Sequence, residues 1–486
     1  MMTSKELNAL GIPNDKRIMP LAMKLINIAL ADGASYNAMR DALQLLCDAP
    51  ASMVDDPVLG PLARVMAEHF PTGVSFKPRA LAAPWRQWGD VHVEASAIRQ
   101  MENACSLPAA VRGALMPDAH TGYGLPIGGV LAVKDTVIPY AVGVDIACRM
   151  RLTVIDLPVS ALLARREALI DAIESETRFG VGASFERNER REHPVMDEDW
   201  EVSTVTRTYK DKAWKQLGSS GGGNHFVEFG ELHLETPAEL GGKLLDKGVY
   251  LALLSHSGSR GTGESVAQHY SKLAMSLRPA LPQEIKHLAW FELASEAGQE
   301  YWAAMQLMGK YAAANHELIH WHVLDHLGAE ALTHVENHHN FAWEEQHDGE
   351  TVIVHRKGAT PAGQGVQGIV PGSMGSPGFV VRGKGNAAAL NSCSHGAGRL
   401  MSRSAAFKNL DRTAVRRFLE DAGVHLLSGG LDEAPMAYKD IHAVMAAQSD
   451  LVEILARFQP RLVKMAGGDE RNTKDRFKKR KKRHPD

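Results

Sequence analysis

Six side chains suited to metal binding or nucleophilic attack are spread along this 486-residue chain, several of them beside glycine-rich segments. They are Asp145, Cys148, His225, His256, His339 and His395. One thiolate, one carboxylate and several imidazoles can hold one or two divalent ions, and they suit Zn, Mn, Fe or Co better than Mg or Ca. A thiolate shared by two ions would hold them close together, as in sites that clamp phosphoryl or acyl oxygens.

The segment 391–403, NSCSHGAGRLMSR, is a candidate reactive site. His395 is followed at once by Gly-Ala-Gly and then by Arg399, in a stretch too small and polar to form core. Glycines allow backbone N–H groups to approach a bound anion, as in phosphate-binding loops. The alternative is a turn beside a structural histidine. It is less favoured because His256 also ends a strand-like segment and enters a glycine loop.

Asp145 and Cys148 lie three residues apart before a β-branched segment. On one helical turn, or around a tight bend, this spacing directs a carboxylate and a thiolate to one point. A buried cysteine is otherwise an inert small hydrophobe. Metal ligands beside anion-binding loops and cations favour phosphoryl or nucleotidyl transfer over hydride or acyl chemistry. The candidate cations are Arg260, Arg356, Lys357 and Arg399.

Two further motifs match known patterns without the residues that would complete them. HELIH (316–320) fits the H-E-x-x-H zinc motif, but the following HWHVLDH lacks the glycine of the metzincin extension. GFVVRGKG (378–385) fits G-x-x-x-x-G-K, but Gly385 stands where a P-loop has its magnesium-binding Ser or Thr. A metalloprotease and a P-loop enzyme are therefore disfavoured.

The elements that must position these residues change along the chain. Apolar residues recur at helical spacing from about 19 to 70, and prolines follow, so residues 1–80 are predicted to be a helical N-terminal region. A long helix is predicted at about 283–332, and the charged segment 184–202 is predicted to be an exposed insertion. Predicted strands lie within residues 116–133, 139–155, 249–263 and 351–363.

The composition, 44% hydrophobic and 23% charged residues, is that of a soluble globular protein with more than one domain-sized unit. The chain has no apolar run long enough to span a membrane and no cleavable leader. Its four scattered cysteines are too few for a disulfide framework, which predicts a reducing cytoplasm.

The C-terminal residues 469–486 are predicted to be a basic tail. Residues 471–484 hold nine lysines and arginines against one aspartate, although the net charge of the chain is only −3. Such a block is either a disordered, solvated tail or an arm that contacts phosphates and adds salt-sensitive affinity for nucleic acid.

Nine segments together resemble the RtcB-type RNA ligase family, because they occur in the order expected for it. The resemblance covers about residues 110–465, most of the chain. The segments are MPDAHTGYGLPIGGV, GVDIAC, GSSGGGNHFVE, HSGSRG, HHN, HRKGAT, PGSMG, CSHGAGRLMSR and DEAPMAYKD.

The resemblance implies a mixed α/β fold, with central β-sheets, surrounding helices and a central active-site cleft, in a catalytic domain at 81–468. It implies a cytoplasmic ligase that uses GTP and two Mn²⁺ ions. The substrates would be RNA ends with a 2′,3′-cyclic phosphate or 3′-phosphate and RNA ends with a 5′-hydroxyl. An archease-like activating protein is a candidate partner, and no membrane is involved.

The resemblance also implies roles for single residues. His395 matches the guanylylated nucleophile, and the other five residues of the opening set match the metal ligands. Arg260, Arg356, Lys357 and Arg399 would contact RNA or phosphate. The residues implied to contact the nucleotide, besides His395, are Asn224, Glu228, Asn340, Pro371, Gly372, Ser373, Met374, Gly375, Gly396, Ala397, Gly398, Tyr438 and Lys464.

Two positions depart from the family pattern. Arg149 follows Cys148 where the family usually has glycine, which leaves the local backbone or RNA path open. Lys464 is followed by Met-Ala-Gly-Gly, whereas the guanine-contacting lysine of the family directly precedes glycine. Two other functions are compatible with the residues: a binuclear phosphoesterase or nucleotide hydrolase acting on RNA ends, and a non-catalytic RNA-binding repair protein.

Removal of residues 471–486 is expected to weaken RNA binding mainly at low salt, because each cation that neutralises a phosphate releases a condensed counterion. The measurement is the slope of log Kobs for single-stranded RNA against log salt concentration. This slope should become shallower by about 0.7 for each phosphate that the tail had neutralised. A slope equal to that of the full chain would identify the tail as a solvated segment that does not touch RNA.

Overall fold

The structure is a computed structural model, and it describes residues 1–70, 76–89 and 92–467. The predicted basic tail at 469–486 lies outside these residues, and the domain limits at 80 and 468 stay predictions. Within the described ranges, no helix combines the length and the apolar character needed to cross a membrane.

The helices in the described residues cover the N-terminal region and then alternate with strands. They are α1 (Ser4–Ala9), α2 (Ile18–Ala31), α3 (Tyr36–Asp48), α4 (Gly60–His69), α5 (Ala95–Cys105), α6 (Pro139–Val142), α7 (Ala161–Ala164), α8 (Arg166–Glu176), α9 (Thr204–Gln216), α10 (Arg260–Leu277), α11 (Glu296–Leu327), α12 (Arg403–Asn409), α13 (Arg412–Asp421) and α14 (Ile441–Ala446).

The strands begin after the N-terminal helices and continue to the end of the described chain. They are β1 (Trp85–Gln87), β2 (Ala110–His120), β3 (Ile127–Val133), β4 (Thr136–Val137), β5 (Arg149–Ile155), β6 (Phe226–Leu234), β7 (Ala238–Leu240), β8 (Lys243–Leu245), β9 (Gly248–Ser257), β10 (Phe291–Glu292), β11 (Ala331–His338), β12 (Asn340–His347), β13 (Glu350–Lys357), β14 (Ala359–Pro361), β15 (Gln367–Val370), β16 (Gly378–Gly383), β17 (Ser392–Ser394), β18 (His425–Ser428) and β19 (Val452–Met465).

Two large sheets organise these strands. One has the order β1-β2-β3-β13-β12, and the other has the order β11-β5-β9-β6-β19-β16-β15, with β18 pairing in parallel with β19. A short ribbon of β14 and β17 lies apart from both sheets. The prediction of a mixed α/β fold with central sheets is confirmed.

Four neighbouring strands of the larger sheet each have one terminus at the same end of the sheet. Strands β11, β5, β9 and β6 run antiparallel to one another, and Arg149 stands opposite both Ser257 and His338. Phe226 stands opposite His256. Because neighbours in this order alternate in direction, the starts of β5 and β6 and the ends of β9 and β11 lie together at one end of the sheet. This end is where residues distant in sequence meet.

A single residue links the two large sheets at that end. Strand β11 of the larger sheet ends at His338, and β12 of the smaller sheet begins at Asn340. The intervening His339 donates its backbone N–H to the carbonyl of Cys148 at 3.0 Å and accepts from the N–H of Ala359 at 3.2 Å. His339 therefore belongs to neither sheet and is fixed by backbone bonds on both sides.

Helix α11 packs against both sheets. Its first half contributes Met305 and Tyr311 to the core under the five-stranded sheet. Its second half contributes Ile319 and Val323 to the core under the larger sheet. At 32 residues it is roughly 48 Å long, which is enough to serve both cores.

Helices α1–α4 share a core of their own, which includes Leu7, Ile26, Leu43 and Leu62. Leu277, at the end of α10, packs against this cluster. The N-terminal helices are thus attached to the rest of the chain at the end of α10.

Two local predictions need correction. The helix predicted at 283–332 is shorter, because Ser295 caps α11 by accepting the N–H of Gly298, and Gly328 ends it in the left-handed conformation. The preceding Phe291 and Glu292 pair with β4 instead. The segment 184–202 is not simply an exposed insertion, because Trp200 is 2% exposed and belongs to the main core.

The H-E-x-x-H histidines of α11 have hydroxyl partners in place of a metal. His316 Nδ1 and His320 Nε2 both lie 2.7 Å from the Ser255 hydroxyl, and His320 Nδ1 lies 2.7 Å from the Thr153 hydroxyl. Both histidines are buried, whereas the Glu317 side chain is 60% exposed and pairs with His193. The glutamate does not share the face of the two histidines, so this motif is structural.

Glu317→Gln is expected to leave the urea midpoint of unfolding nearly unchanged, because an exposed ion pair contributes at most about 1 kcal/mol. His320→Leu should destabilise the protein by about 1–3 kcal/mol, since it leaves the buried Thr153 hydroxyl without its partner and removes one of the two partners of the Ser255 hydroxyl. Urea unfolding followed by circular dichroism compares the two variants. Zinc-dependent proteolysis that is lost in Glu317→Gln would contradict the structural role.

Candidate active site

A cavity of about 290 Å³ opens where the two large sheets meet. Its walls include Asp145, Cys148, His256, His339 and His395, five of the six residues predicted to do chemistry. The sixth, His225, directly precedes β6 and reaches the same cluster. The strand order β11-β5-β9-β6 therefore helps to assemble the whole predicted set at one point.

Asp145, Cys148 and His225 form the first group of potential metal ligands. The His225 Nε2 atom lies 2.9 Å from the Asp145 carboxylate and 3.4 Å from the Cys148 sulfur. One ligand atom from each of the three residues lies within 4.8 Å of the other two. Ligands about 2.0–2.3 Å from one ion are roughly 3–4 Å apart, so this spacing fits a single ion.

Cys148, His256 and His339 form the second group. The His256 Nε2 atom lies 3.1 Å from the Cys148 sulfur and 3.3 Å from the His339 Nε2 atom. These ligand atoms also lie within 4.8 Å of one another. Cys148 belongs to both groups, so its sulfur is positioned to bridge two ions.

The backbone sets which nitrogen of each imidazole faces the cluster. His225 Nδ1 donates to the carbonyl of Ser220 at 2.8 Å, and His256 Nδ1 donates to the carbonyl of Asn224 at 3.0 Å. The Nε2 atoms then face Cys148 with lone pairs, as in metal sites whose histidines are held by outer hydrogen bonds. Convergent lone pairs of N, O and S fit a transition-metal ion.

Burial controls the protonation of these ligands. It lowers the pKa of His256 to about 3, with His225 adding to the effect, so the imidazole is neutral and can coordinate. Burial also raises the pKa of the Cys148 thiol well above its usual range, and the Asp145 charge raises it further. A bound cation would offset this cost, because it stabilises the thiolate directly.

A tight bend brings Asp145 next to Cys148. The Cys148 N–H donates to the Asp145 carbonyl, and the intervening Ala147 has a positive φ of 55°. The Ala147 N–H donates to the carbonyl of Asn340 at 2.7 Å, which holds this conformation. Left-handed backbone in a residue other than glycine is costly and is concentrated at functional sites. The spacing of three thus reflects the bend, one of the two possibilities open from sequence.

His395 faces this cluster from the β14–β17 ribbon. Its ring centroid lies 4.9 Å from that of His339. Its Nδ1 donates to the Asp118 carboxylate at 2.6 Å, and its backbone N–H donates to the same oxygen at 3.1 Å. Burial of Asp118 opposes ionisation, but the charge and hydrogen bond of His395 outweigh it and lower the pKa of that carboxyl. Asp118 therefore orients the ring and leaves Nε2 free.

Gly398 allows the His395 loop to approach Asp118. It has a φ of 72°, and a Cβ at this position would lie 2.1 Å from the Asp118 carbonyl oxygen. Only glycine fits both the left-handed conformation and this contact. The second glycine of the Gly-Ala-Gly sequence is thus required by the approach of this loop to Asp118.

The four predicted cations occupy different environments. Arg399 lines the cavity, and Arg260 is buried and bonded to the Ser219 hydroxyl at 3.1 Å. Lys357 is buried beside the cavity and donates to the Tyr123 carbonyl. Arg356 is directed elsewhere, because its guanidinium is 1% exposed and makes a two-pronged contact with Glu345.

Among the predicted nucleotide contacts, Asn224, Asn340 and Tyr438 line the cavity together with the 396–398 loop. Asn340 is also a positioning residue, since it bonds the Asp145 carbonyl at 3.1 Å. Glu228 is buried, and burial raises the pKa of its carboxyl well above the usual range. Lys464 pairs with Glu174 at 2.6 Å.

The 371–375 loop reaches the cavity only with its first two residues, Pro371 and Gly372. Ser373 donates to the Ser376 hydroxyl, and Met374 is buried in a neighbouring apolar cluster. Gly375 packs against Phe418, because a Cβ atom at position 375 would lie 2.8 Å from the Phe418 ring.

Sequence reasoning missed the roles of Asp118 and Arg403. Asp118 lies 277 residues from His395, and an aspartate between Pro117 and Ala119 gives no indication of its partner. Arg403 lines the cavity and pairs with Glu433 at 3.1 Å, although it belongs to the same 391–403 segment as His395. Arg149, which stands where the family usually has glycine, is accommodated by an ion pair with Glu336 at 2.9 Å.

Two groups of metal ligands that share a thiol, an oriented histidine and glycine loops together define an enzyme of metal-assisted phosphoryl or nucleotidyl transfer. The chain belongs to the RtcB family. The family model described as tRNA-splicing ligase RtcB matches residues 100–466.

Individual relatives agree with this assignment. The RNA-splicing ligase RtcB of Escherichia coli strain K12 is 36% identical over 414 residues, covering 77% of this chain and 95% of the relative. The tRNA-splicing ligase RtcB of Thermococcus kodakarensis is 30% identical over 436 residues, covering 75% and 89%. The RNA-splicing ligase RtcB homolog 1 of Entamoeba histolytica is 28% identical over 439 residues, covering 76% and 83%. The predicted family and the prediction of a ligase enzyme are confirmed.

Cys148→Ala is expected to reduce the Mn²⁺ bound per chain by at least one ion, because one sulfur serves both ligand groups. Metal content after incubation with MnCl₂ and gel filtration is the measurement. Cys105→Ala is the matched control, since Cys105 is equally buried but lies at the end of α5 in the apolar core. Equal metal content in the two variants would remove the bridging role of Cys148.

Proposed function

We propose that this protein joins RNA ends bearing a 2′,3′-cyclic phosphate or 3′-phosphate to RNA ends bearing a 5′-hydroxyl, with GTP as second substrate and Mn²⁺ as the metal. The His395 imidazole carries this proposal. It is hydrogen-bonded to buried Asp118 and adjoins His339 of the ligand cluster. A nucleophile beside a two-ion site and a glycine loop suits transfer of a nucleotidyl group.

His395 is the proposed nucleophile. Because Nδ1–H donates to Asp118, the available lone pair is on Nε2. Attack by Nε2 on the α-phosphorus of GTP forms a P–N bond and breaks the bond to the β-phosphate, releasing pyrophosphate. The ring gains positive charge, which Asp118 stabilises through the existing hydrogen bond, as in other His–Asp pairs.

Two further transfers complete the reaction. An oxygen of the RNA 3′-phosphate attacks the phosphorus of the histidine-bound GMP, so the P–N bond breaks and His395 becomes neutral again. The 5′-hydroxyl then attacks the RNA phosphate, loses its proton and expels GMP, which leaves a phosphodiester. A cyclic phosphate is first opened by water to the 3′-phosphate.

The metal ligands in this proposal are Asp145, Cys148, His225, His256 and His339. Bound Mn²⁺ supplies charge neutralisation for phosphate oxygens and leaving groups. The chain itself keeps the imidazoles of His225 and His256 oriented through the carbonyls of Ser220 and Asn224.

The nucleotide is proposed to lie along the 396–398 loop, with Pro371 and Gly372 opposite it. Its guanine would meet Glu228 and Lys464. The burial of Glu228 supports this, because a buried carboxylate is stabilised by the N–H donors of a base. Lys464 would exchange its bond to Glu174 for one to the nucleotide.

RNA phosphates are proposed to contact Arg399, Arg260 and Lys357. Arg399 supports this most directly, since it lines the cavity and lies over the Tyr438 ring at 5.0 Å. Arg356 is left out of the proposal, because Glu345 already occupies its guanidinium.

Incubation with α-labelled GTP and Mn²⁺ is expected to label the protein covalently, and His395→Ala should abolish the label. Asp118→Asn should slow labelling by roughly 10²–10⁴-fold, because the amide cannot stabilise the charged ring. Acid-labile radioactivity that stays with denatured protein is the measurement.

His233→Ala is the control for this experiment, since His233 lies on β6 and pairs with Glu231 outside the cavity. Label retained in His395→Ala would refute the nucleophile. A protein that hydrolyses RNA 3′-phosphates or GTP with Mn²⁺ but is never labelled would be a binuclear hydrolase.

A further inference from the structure

Three aromatic rings form a cluster that the proposed chemistry does not use. Tyr123 lies 6.4 Å from Tyr140 and 5.7 Å from His287, measured between ring centroids, and Tyr140 lies 4.8 Å from His287. The two contacts of His287 are edge-on, at 71° and 67°. Because these rings do not stack in parallel, Tyr123 keeps a face for another ring. It is 67% exposed, which is unusual for a large aromatic residue.

The cluster is held rigidly although its tip is exposed. Buried Lys357 donates to the Tyr123 carbonyl, and its ammonium lies 5.7 Å from the Tyr140 ring. Gly124 has a φ of 71°, and a Cβ there would lie 2.9 Å from the His287 carbonyl oxygen. The loop is therefore pressed against the turn that carries His287. A preorganised ring binds a partner with little loss of conformational entropy.

Each part of the cluster is continuous with the wall of the cavity. Tyr123 follows the cavity residue His120 by three positions, so their Cα atoms are at most about 11 Å apart. Lys357 directly precedes Gly358, which also lines the cavity. The aromatic cluster therefore lies near the cavity, on the side where His120 and Gly358 line it.

We propose that Tyr123, supported by Tyr140 and His287, is a stacking platform for an unpaired nucleobase of the RNA, next to the phosphate that is joined. This inference rests on the proposed function and deepens it. Aromatic faces beside cations are the usual means of holding single strands without regard to sequence.

The surrounding charges favour a nucleic acid over an apolar peptide. Lys286 and Lys357 both lie close enough to His287 to act on it electrostatically. Lys286 is exposed and would meet a phosphate next to a stacked base. An apolar peptide would offer Lys286 no negative partner, which disfavours it as the occupant.

The test measures equilibrium binding of short single-stranded RNA by fluorescence anisotropy, without GTP. Tyr123→Ala is expected to weaken binding about tenfold, the effect of losing one base–aromatic stack. RNA that is abasic beside the terminal phosphate should bind Tyr123→Ala and wild type equally. Two abasic RNAs, one altered at the 3′-phosphate strand and one at the 5′-hydroxyl strand, identify which strand supplies the base.

Two variants complete the design. Tyr123→Phe should bind like wild type, because the ring is retained. Tyr36→Ala, which removes an exposed tyrosine of the N-terminal helices, should also bind like wild type. The platform would be overturned if Tyr123→Ala lost the same affinity for intact RNA as for both abasic RNAs. It would also be overturned if Tyr123→Ala bound intact RNA as tightly as wild type.

Different experimental results would contradict the proposed function and the stacking platform. Loss of affinity that depends on the base, in a protein that takes no GMP label, would support the platform and refute the ligase mechanism. GMP labelling and RNA joining that are equal in wild type and Tyr123→Ala at limiting RNA would overturn the platform alone.

Discussion

The shared thiol of Cys148 is the constraint on which the site depends. Its sulfur lies 3.4 Å from His225 and 3.1 Å from His256, so both ligand groups include it. A thiolate and a carboxylate in a dry environment repel each other. A metal cation at this point would offset that repulsion directly. The strand order β11-β5-β9-β6 is what brings the participating residues within reach of this sulfur.

Helix α11 packs against the loops that carry the Cys148 cluster and holds them through buried side chains. Asn315 accepts the N–H of Gly218 at 2.8 Å and donates to the Gly258 carbonyl at 2.9 Å, so one side chain joins two glycine loops. Further along the same helix, His316 and His320 hold the Ser255 hydroxyl, next to His256 in β9. The H-E-x-x-H histidines therefore support the predicted metal site without belonging to its ligand groups.

Residue types and spacing were enough to predict which side chains lie together at the cavity, because unusual side chains in glycine-rich turns have few structural uses. The pairing of His395 with Asp118 was not predictable, since it depends on how two distant elements pack. The prediction that Arg356 contacts RNA or phosphate could have been questioned from the strand periodicity alone. Successive residues of a strand point to opposite faces, so Arg356 and Lys357 could not both face the cavity. The long helix begins later than predicted, after Ser295, because this serine is an N-cap that propensity alone does not distinguish from other serines.

The chain connection between the sheets limits how far His395 can lie from the predicted metal ligands. Most of the predicted ligands belong to the end of the larger sheet, whereas Asp118 belongs to β2 of the smaller one and holds His395. His339 is the only residue between β11 and β12, and both its backbone groups are bonded. A one-residue connection cannot stretch, so the two sheets cannot shift apart at this point without breaking those bonds.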